Sequence, residues 1–319
     1  MSTNRVLNWA REPKDNRDYK STRRLAAPET IPSEYELPLQ IPVYDQLDIG
    51  SCVANSAASC YRFESAQVLG NFSFDPSRLF VYYNARKIQG WEKEDSGAYI
   101  RDGFKAMNKW GLPNERIWPY KTEDFAKEPT VQAYTDGEKN IIVEYAKVPQ
   151  TELSIKQTIL AGGAVSFGFD VYSSFFGAWP ETSGIMPIPK KGETFEGGHA
   201  VTIIGWSDVK KCFLIQNSWG KAWGQDGKFW MPYSYVLSSK SDDFWAIERI
   251  KIDAAEPVPP TPADIDWKLV CSVLFKNSKE LWAVRKSTLI RIGVALRVQV
   301  DEKKSFRYNY ELIKEHLGL

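Results

Sequence analysis

YDQLDIGSC, residues 44–52, sets an amide, a run of small residues and a thiol in one tight frame immediately ahead of CVANSAASCYRFESAQVLG. The following stretch carries small and apolar residues at helical spacing, with Ser51 placed to cap its start and Gly70 to end it. A thiol at the first turn of a helix meets unpaired backbone N–H groups and the positive end of the helix dipole, which favour an anion. Cys52 is therefore a candidate nucleophile, because a thiol attacks a carbonyl usefully as its thiolate. Its own N–H and the side-chain amide of Gln46 are candidate donors to a developing oxyanion.

Such a thiol needs an imidazole, and the chain has only two, His199 and His316. EGGHAVTIIGW places His199 at the start of an expected strand with Gly197 and Gly198 leaving room beside it. LIQNSWGKAWG follows with Asn217, whose side-chain oxygen can accept the second imidazole N–H and fix the ring's orientation. Trp219 is placed to cover that hydrogen bond. His316, in a charged terminal stretch, reads as a surface residue.

These residues resemble the papain family of cysteine peptidases, whose order is Gln, Cys, His, Asn. Cys52 and His199 lie 147 residues apart and Asn217 follows His199 by 18. NSWGKAWGQDGKFW matches the family's Asn-Ser-Trp-Gly block, and GGHA resembles the form seen in cathepsin B. REPKDNRDY, GSCVAN, SRLFVYYN and WGLPNERIWPY are similar to bacterial and viral members. The resemblance spans roughly residues 36–252 and implies a two-lobed fold with Cys52 on the central helix of one lobe, His199 and Asn217 on the β lobe, and peptide substrate in the cleft between. It also implies contact of Gly97, in DSGAY, with substrate backbone, alongside Gly198 and Trp219. The family's cysteine three residues before the nucleophile is here Ile49, and the tryptophan after it is Val53. The first change removes half of a disulfide; the second alters packing behind the nucleophile and deletes no catalytic atom.

The remaining pattern agrees. SRLFVYYNARK, opened by Asp75 and Pro76, and IRDGFKAMNKW, closed by Gly111, read as further helices. LSIKQTIL reads as a short helix, and AVSFGFDV, HAVTIIGW, KCFLIQNSW and FWAIERIKI as strands. Helices followed by strands give an α+β class of two packed lobes. EPVPPTP, residues 256–262, is a stiff linker to a small α/β accessory module, residues 263–319, with an alternating strand over 290–300 and a closing helix. This tail holds 11 Lys and Arg against 7 Asp and Glu, a mild excess suited to a solvated surface.

With 41 basic and 40 acidic residues in 319, the chain as a whole gives no sign of nucleic-acid binding. No apolar run has the length of a membrane span, and the N-terminus lacks a signal-peptide pattern, so an intracellular protein is expected and the sequon at Asn71 carries no meaning. Four cysteines without a CxxC pair suggest neither a disulfide framework nor zinc; Cys60, Cys212 and Cys271 read as small buried hydrophobes. No metal or organic cofactor is implied. Residues 1–35 read as an extended arm, with the peptidase domain at 36–255. Either the arm straps the cleft or it packs elsewhere on the surface. The expected activity is endopeptidase hydrolysis through a thioester on Cys52, with acyl transfer to an amine, or a catalytically inactive peptide-binding homologue, as alternatives.

Overall fold

The computed structural model describes residues 5–21, 31–38, 41–70 and 74–252. The linker, the 263–319 module with Cys271 and His316, and Asn71 lie outside the described residues. In chain order the labelled elements are β1 (Glu34–Glu36), α1 (Cys52–Leu69), α2 (Arg78–Lys87), α3 (Ile100–Lys109), α4 (Val131–Gly137), β2 (Asn140–Lys147), α5 (Glu152–Leu160), β3 (Val165–Tyr172), β4 (Phe195–Ser207), β5 (Cys212–Gln216), β6 (Lys228–Pro232), α6 (Tyr233–Val236) and β7 (Ser241–Ile252). Helices gather in the first half and strands in the second, the two-lobed α+β arrangement of papain-like proteins.

α1 is buried on all sides from Cys52 to Ala66, so it is a core element rather than a surface helix. Its small residues admit close neighbours. A Cβ added to Gly103 of α3 would sit 3.2 Å from Val53 Cγ1, so fully buried Val53 fills a space closed by the backbone of α3. On the sheet side, Ser56 Oγ donates to the Val201 carbonyl at 2.8 Å and lies 2.7 Å from Ser166 Oγ and 2.9 Å from Thr202 Oγ1. These hydroxyls satisfy one another where water is excluded. Gly70, at φ 68°, ends the helix in the left-handed conformation. Ser51 departs from expectation: its hydroxyl makes no capping bond but meets Tyr120 Oη at 2.6 Å and Asn55 Nδ2 at 2.9 Å. α2 starts later than Asp75 and Pro76 suggest, because Ser77 is the cap and accepts from Phe80 N at 3.3 Å.

The strands form one antiparallel sheet in the order β2-β7-β3-β4-β5-β6, with β1 paired to the far end of β4. β4 is the strand that positions the site: Phe169 of β3 pairs with His199, and Thr202 pairs with Gln216, so the chain leaving β5 at Asn217 returns beside His199. Asn217 N donates to Gly227 O at 2.9 Å, fixing that exit. β2 and β6 are not evident in the sequence: NIIVEYAK mixes exposed and buried positions irregularly around register shifts, and KFWMP is short and ends in proline.

Residues 5–21 run across both lobes in extended form except for a turn at Asn16 and Arg17, closed by Asp18 N donating to Asp15 O at 3.2 Å. Asn8 pairs with Gly198 and Trp9 with Ala98 in parallel bridges, and Lys20 pairs with Lys147 at the end of β2, the outermost strand.

Candidate active site

His199 and Asn217 are hydrogen-bonded, Gln46 bonds to the adjoining Ser218, and Cys52 lies against Ala200, the residue after His199. His199 Nε2 lies 2.8 Å from Asn217 Oδ1, which leaves the buried Nδ1 with no hydrogen-bond partner among the described residues. Trp219 stacks on the imidazole with centroids 5.1 Å apart and planes at 28°, closing the His–Asn pair from water. It belongs to an aromatic wall with Phe175, Phe176 and Trp223. Gln46 is held from both ends: its N–H donates to Ser218 O at 2.8 Å and its Oε1 accepts from Ser218 Oγ at 2.8 Å. Its Nε2 is thereby turned toward the cleft, donating to Ile49 O at 3.2 Å and to Val6 O at 3.1 Å.

The opposite wall is fastened by a residue that sequence reasoning missed. Asp95 accepts from Gly50 N at 2.9 Å and from the hydroxyl of Tyr82, and that hydroxyl in turn accepts from Gly97 N at 3.2 Å. The loop before Cys52 and the DSGAY loop are thus one unit. Gly97 has φ 75°, and a Cβ there would lie 1.9 Å from Asn8 O; a Cβ on Gly198 would lie 2.1 Å from Trp9 O. Both glycines are where backbone presses on backbone, as a peptide in the cleft requires.

That backbone belongs to the arm. Arg5 Nη1 donates to Asp45 Oδ1 at 2.6 Å and Nη2 to Trp219 O at 3.2 Å. Val6 O faces Gln46, Asn8 Nδ2 donates to Asp95 O at 2.8 Å, and Trp9 N donates to Gly198 O at 2.9 Å. The Trp9 indole lies in a pocket where a Cβ on Gly168 would come within 1.9 Å of its Cε2, and its Nε1 donates to Asp243 Oδ2 at 3.2 Å. Asp243 itself has φ 58° and is 1% exposed. An isolated tryptophan within a charged segment, and an acidic pair ahead of FWAIERIKI, were the only sequence signals for these two residues.

Burial acts against the charged form of both Cys52 and His199. It pushes the Cys52 thiol up, against the opposing backbone contacts of Ala200 and Asn8. It also pushes His199 down to about 4; the Asn217 hydrogen bond opposes this, and the Arg5 charge adds to it. In this state neutral thiol and neutral imidazole are favoured.

The description "Papain family cysteine protease" matches residues 38–240 of the chain. The chain belongs to this family. Within it, a peptidase C1-like protein of Acanthamoeba polyphaga mimivirus is 38% identical over 223 residues, covering 67% of this chain and 72% of that one. A cathepsin B-like protein of Giardia intestinalis is 24% identical over 225 residues, covering 64% and 68%. Among solved structures, xylellain, a cysteine protease from Xylella fastidiosa, superposes with a TM-score of 0.71 at 38% identity, covering 76% of this chain and 95% of that one. Procathepsin B S9 of Trypanosoma congolense, at 17% identity and a TM-score of 0.59, shares the fold. The family assignment makes the chain a cysteine peptidase, a hydrolase of peptide bonds. Among the described residues, no helix is long and apolar enough to cross a membrane and no cluster of side chains suits a metal ion.

Proposed function

We propose that the protein is an endopeptidase made in a latent form, with Cys52 as nucleophile and residues 5–9 as the strap that blocks it. In the active state the Cys52 thiolate attacks the substrate carbonyl, and His199 Nδ1 carries the thiol proton. Gln46 Nε2 and the Cys52 N–H hold the oxyanion; His199 then protonates the leaving amine, leaving a thioester. Water, deprotonated by His199, releases the acid. Asn217 keeps the ring in position throughout.

The observation that carries this reading is the His199–Asn217 pair, closed over by Trp219, with a buried and unpartnered Nδ1 on its other side. Latency is supported by the Val6 carbonyl on the Gln46 amide, where a scissile carbonyl belongs. The arm's direction fits resistance to self-cleavage. Arg5, which precedes Val6, is the residue over Trp219, whereas a cleavable peptide presents the residue after its carbonyl toward the imidazole. Peptide or protein chains are the substrates. Free thiols at Cys52, Cys60 and Cys212, and Ile49 where a disulfide half stands in relatives, support work in a reducing intracellular compartment.

The reading is tested by incubating the protein with a peptide library and trapping the intermediate by mass spectrometry. A peptide-sized mass on Cys52 that disappears with hydrolysis is expected. Capture of the acyl group by an added amine in preference to water would make the enzyme a transpeptidase, and absence of any adduct with peptides or thiol-reactive peptide probes, once the arm is displaced, would make the cleft a binding site.

A further inference from the structure

Beyond Trp9 the arm leaves Gly198 and buries the side chain of Glu12. The Glu12 side chain is 0% exposed. Its Oε1 accepts from Trp245 Nε1 at 2.9 Å and Lys147 Nζ at 3.2 Å, with Arg101 Nη2 at 3.4 Å, while Oε2 accepts from Arg101 N at 3.0 Å. Arg101 N belongs to the first turn of the ten-residue α3, where free N–H groups and the helix dipole favour a carboxylate. The same guanidinium donates to Pro13 O at 2.9 Å and Asp18 Oδ2 at 2.7 Å, gripping the arm on both sides of the turn. These donors come from α3, β2 and β7, that is, from both lobes.

We propose that Arg101, Lys147 and Trp245 form a carboxylate-binding exosite, outside the catalytic cleft, that recognises an acidic side chain three residues after an aromatic one. The inference rests on the latency reading: the exosite supplies the arm's hold, and the strap over Cys52 follows from it. Beside the cysteine loop the arm is held by backbone bonds and by the partly exposed Arg5–Asp45 ion pair. The exosite desolvates a charge against two cations and an indole N–H. Truncating one partner of such a buried, hydrogen-bonded charge pair strips the other partners of their compensation and acts chiefly on dissociation. Glu12→Gln keeps the shape and one acceptor while losing the charge, so it isolates recognition from packing. A peptide carrying Trp-x-x-Glu should also bind in trans.

The test uses the full chain. Glu12→Gln is expected to raise the rate at which a thiol-reactive peptide probe labels Cys52 by roughly 10- to 100-fold, the scale for a disrupted buried pair that retains an acceptor. In the double variant Trp9→Ala/Glu12→Gln, whose own arm is weakened at both points, a fluorescent peptide of residues 5–21 is followed by anisotropy. Binding at least ten times tighter than that of the same peptide carrying the Glu12→Gln change is expected. Equal anisotropy titrations for the two peptides overturn the exosite, whatever the labelling rates show. If the peptides differ as expected and Cys52 still never labels in the double variant, the exosite stands and the nucleophile assignment fails.

Discussion

The side-chain amide of Gln46 donates to the main-chain carbonyl of Val6 at 3.1 Å, so the group proposed to receive a substrate's oxyanion is engaged by the N-terminal arm. Two consequences can be measured separately. Cys52→Ala should abolish peptide hydrolysis while leaving circular dichroism and melting unchanged. Gln46→Ala should lower turnover by roughly 10²- to 10³-fold, the scale for one lost oxyanion donor. Full activity in purified Cys52→Ala, free of contaminating protease, would end the mechanism.

Displacing Trp9 from the enzyme side offers an independent check on the strap. Gly168 lies in β3 beside a register shift against β7 but outside the left-handed φ range, and the three nearest atoms to an added Cβ all belong to the Trp9 ring, the closest at 1.9 Å. Gly168→Ala should therefore expel the indole and speed alkylation of Cys52 by a small reagent such as iodoacetamide, with little change to the body of the protein. One equivalent of label is expected among the three described thiols, since Cys60 and Cys212 are buried and burial pushes both thiols up, that of Cys212 to about 11. Unchanged alkylation with an unperturbed fold would place the arm's hold elsewhere.

Asp243 gives the clearest pH signature. Burial, followed by the nearby Glu12 charge, pushes its carboxyl from 3.8 up to about 8, with Asp242 adding to the rise and Lys147 and the Glu12 backbone opposing it. The folded protein thus holds a proton that the unfolded chain gives up near 3.8, and stability from this group is lost as pH rises from about 3.8 through about 8. His199 has the opposite sign. Lowered from 6.5 to about 4, it costs stability as pH falls through that window. The two slopes offset each other between about 4 and 6.5, and above 6.5 Asp243 acts alone. Asp243→Asn should gain stability over the parent progressively with rising pH and should uncover the His199 limb in acid. Parallel stability curves for the two proteins from pH 4 to 8 would contradict the assignment.

Ser56→Ala should destabilise the fold by about 1–3 kcal/mol, because it takes the Ser56 partner from the buried Ser166 hydroxyl and leaves the Thr202 hydroxyl only its bond to the Ser56 carbonyl. Chemical denaturation gives the value directly. A loss below a few tenths would mean that those hydroxyls find other partners.

The candidate nucleophile, imidazole and orienting amide are each tied to a local signal in the sequence: small residues around Cys52, glycines before His199, and the Asn-Ser-Trp-Gly block. Scarcity of histidine left one credible partner. Asp95, Asp243 and Arg101 were not legible, since each acquires its role by meeting a segment distant in sequence: Gly50, Trp9 and Glu12 respectively. β2 and β6 escaped notice for a different reason, as their neighbours in the sheet, rather than their own alternation, make them strands. The arm's passage over the cleft was one of two expectations; that Val6 and Trp9 would meet Gln46 and Asp243 had no periodic or motif signal at all.

The pairing of the arm with β2 has a cost that falls on any form of the enzyme lacking it. Lys147 N donates to Tyr19 O at 2.7 Å and Ser21 N donates to Lys147 O at 2.8 Å, so the arm closes the last rung of the sheet's outermost strand. Excision of this segment exposes backbone donors and acceptors on a bare strand edge, the template on which separate molecules stack into aggregates. The residues that lie against Gln46 and Gly198 and those that pair with the sheet's outer strand are on one continuous piece of chain, so removing the whole segment would uncover both places at once.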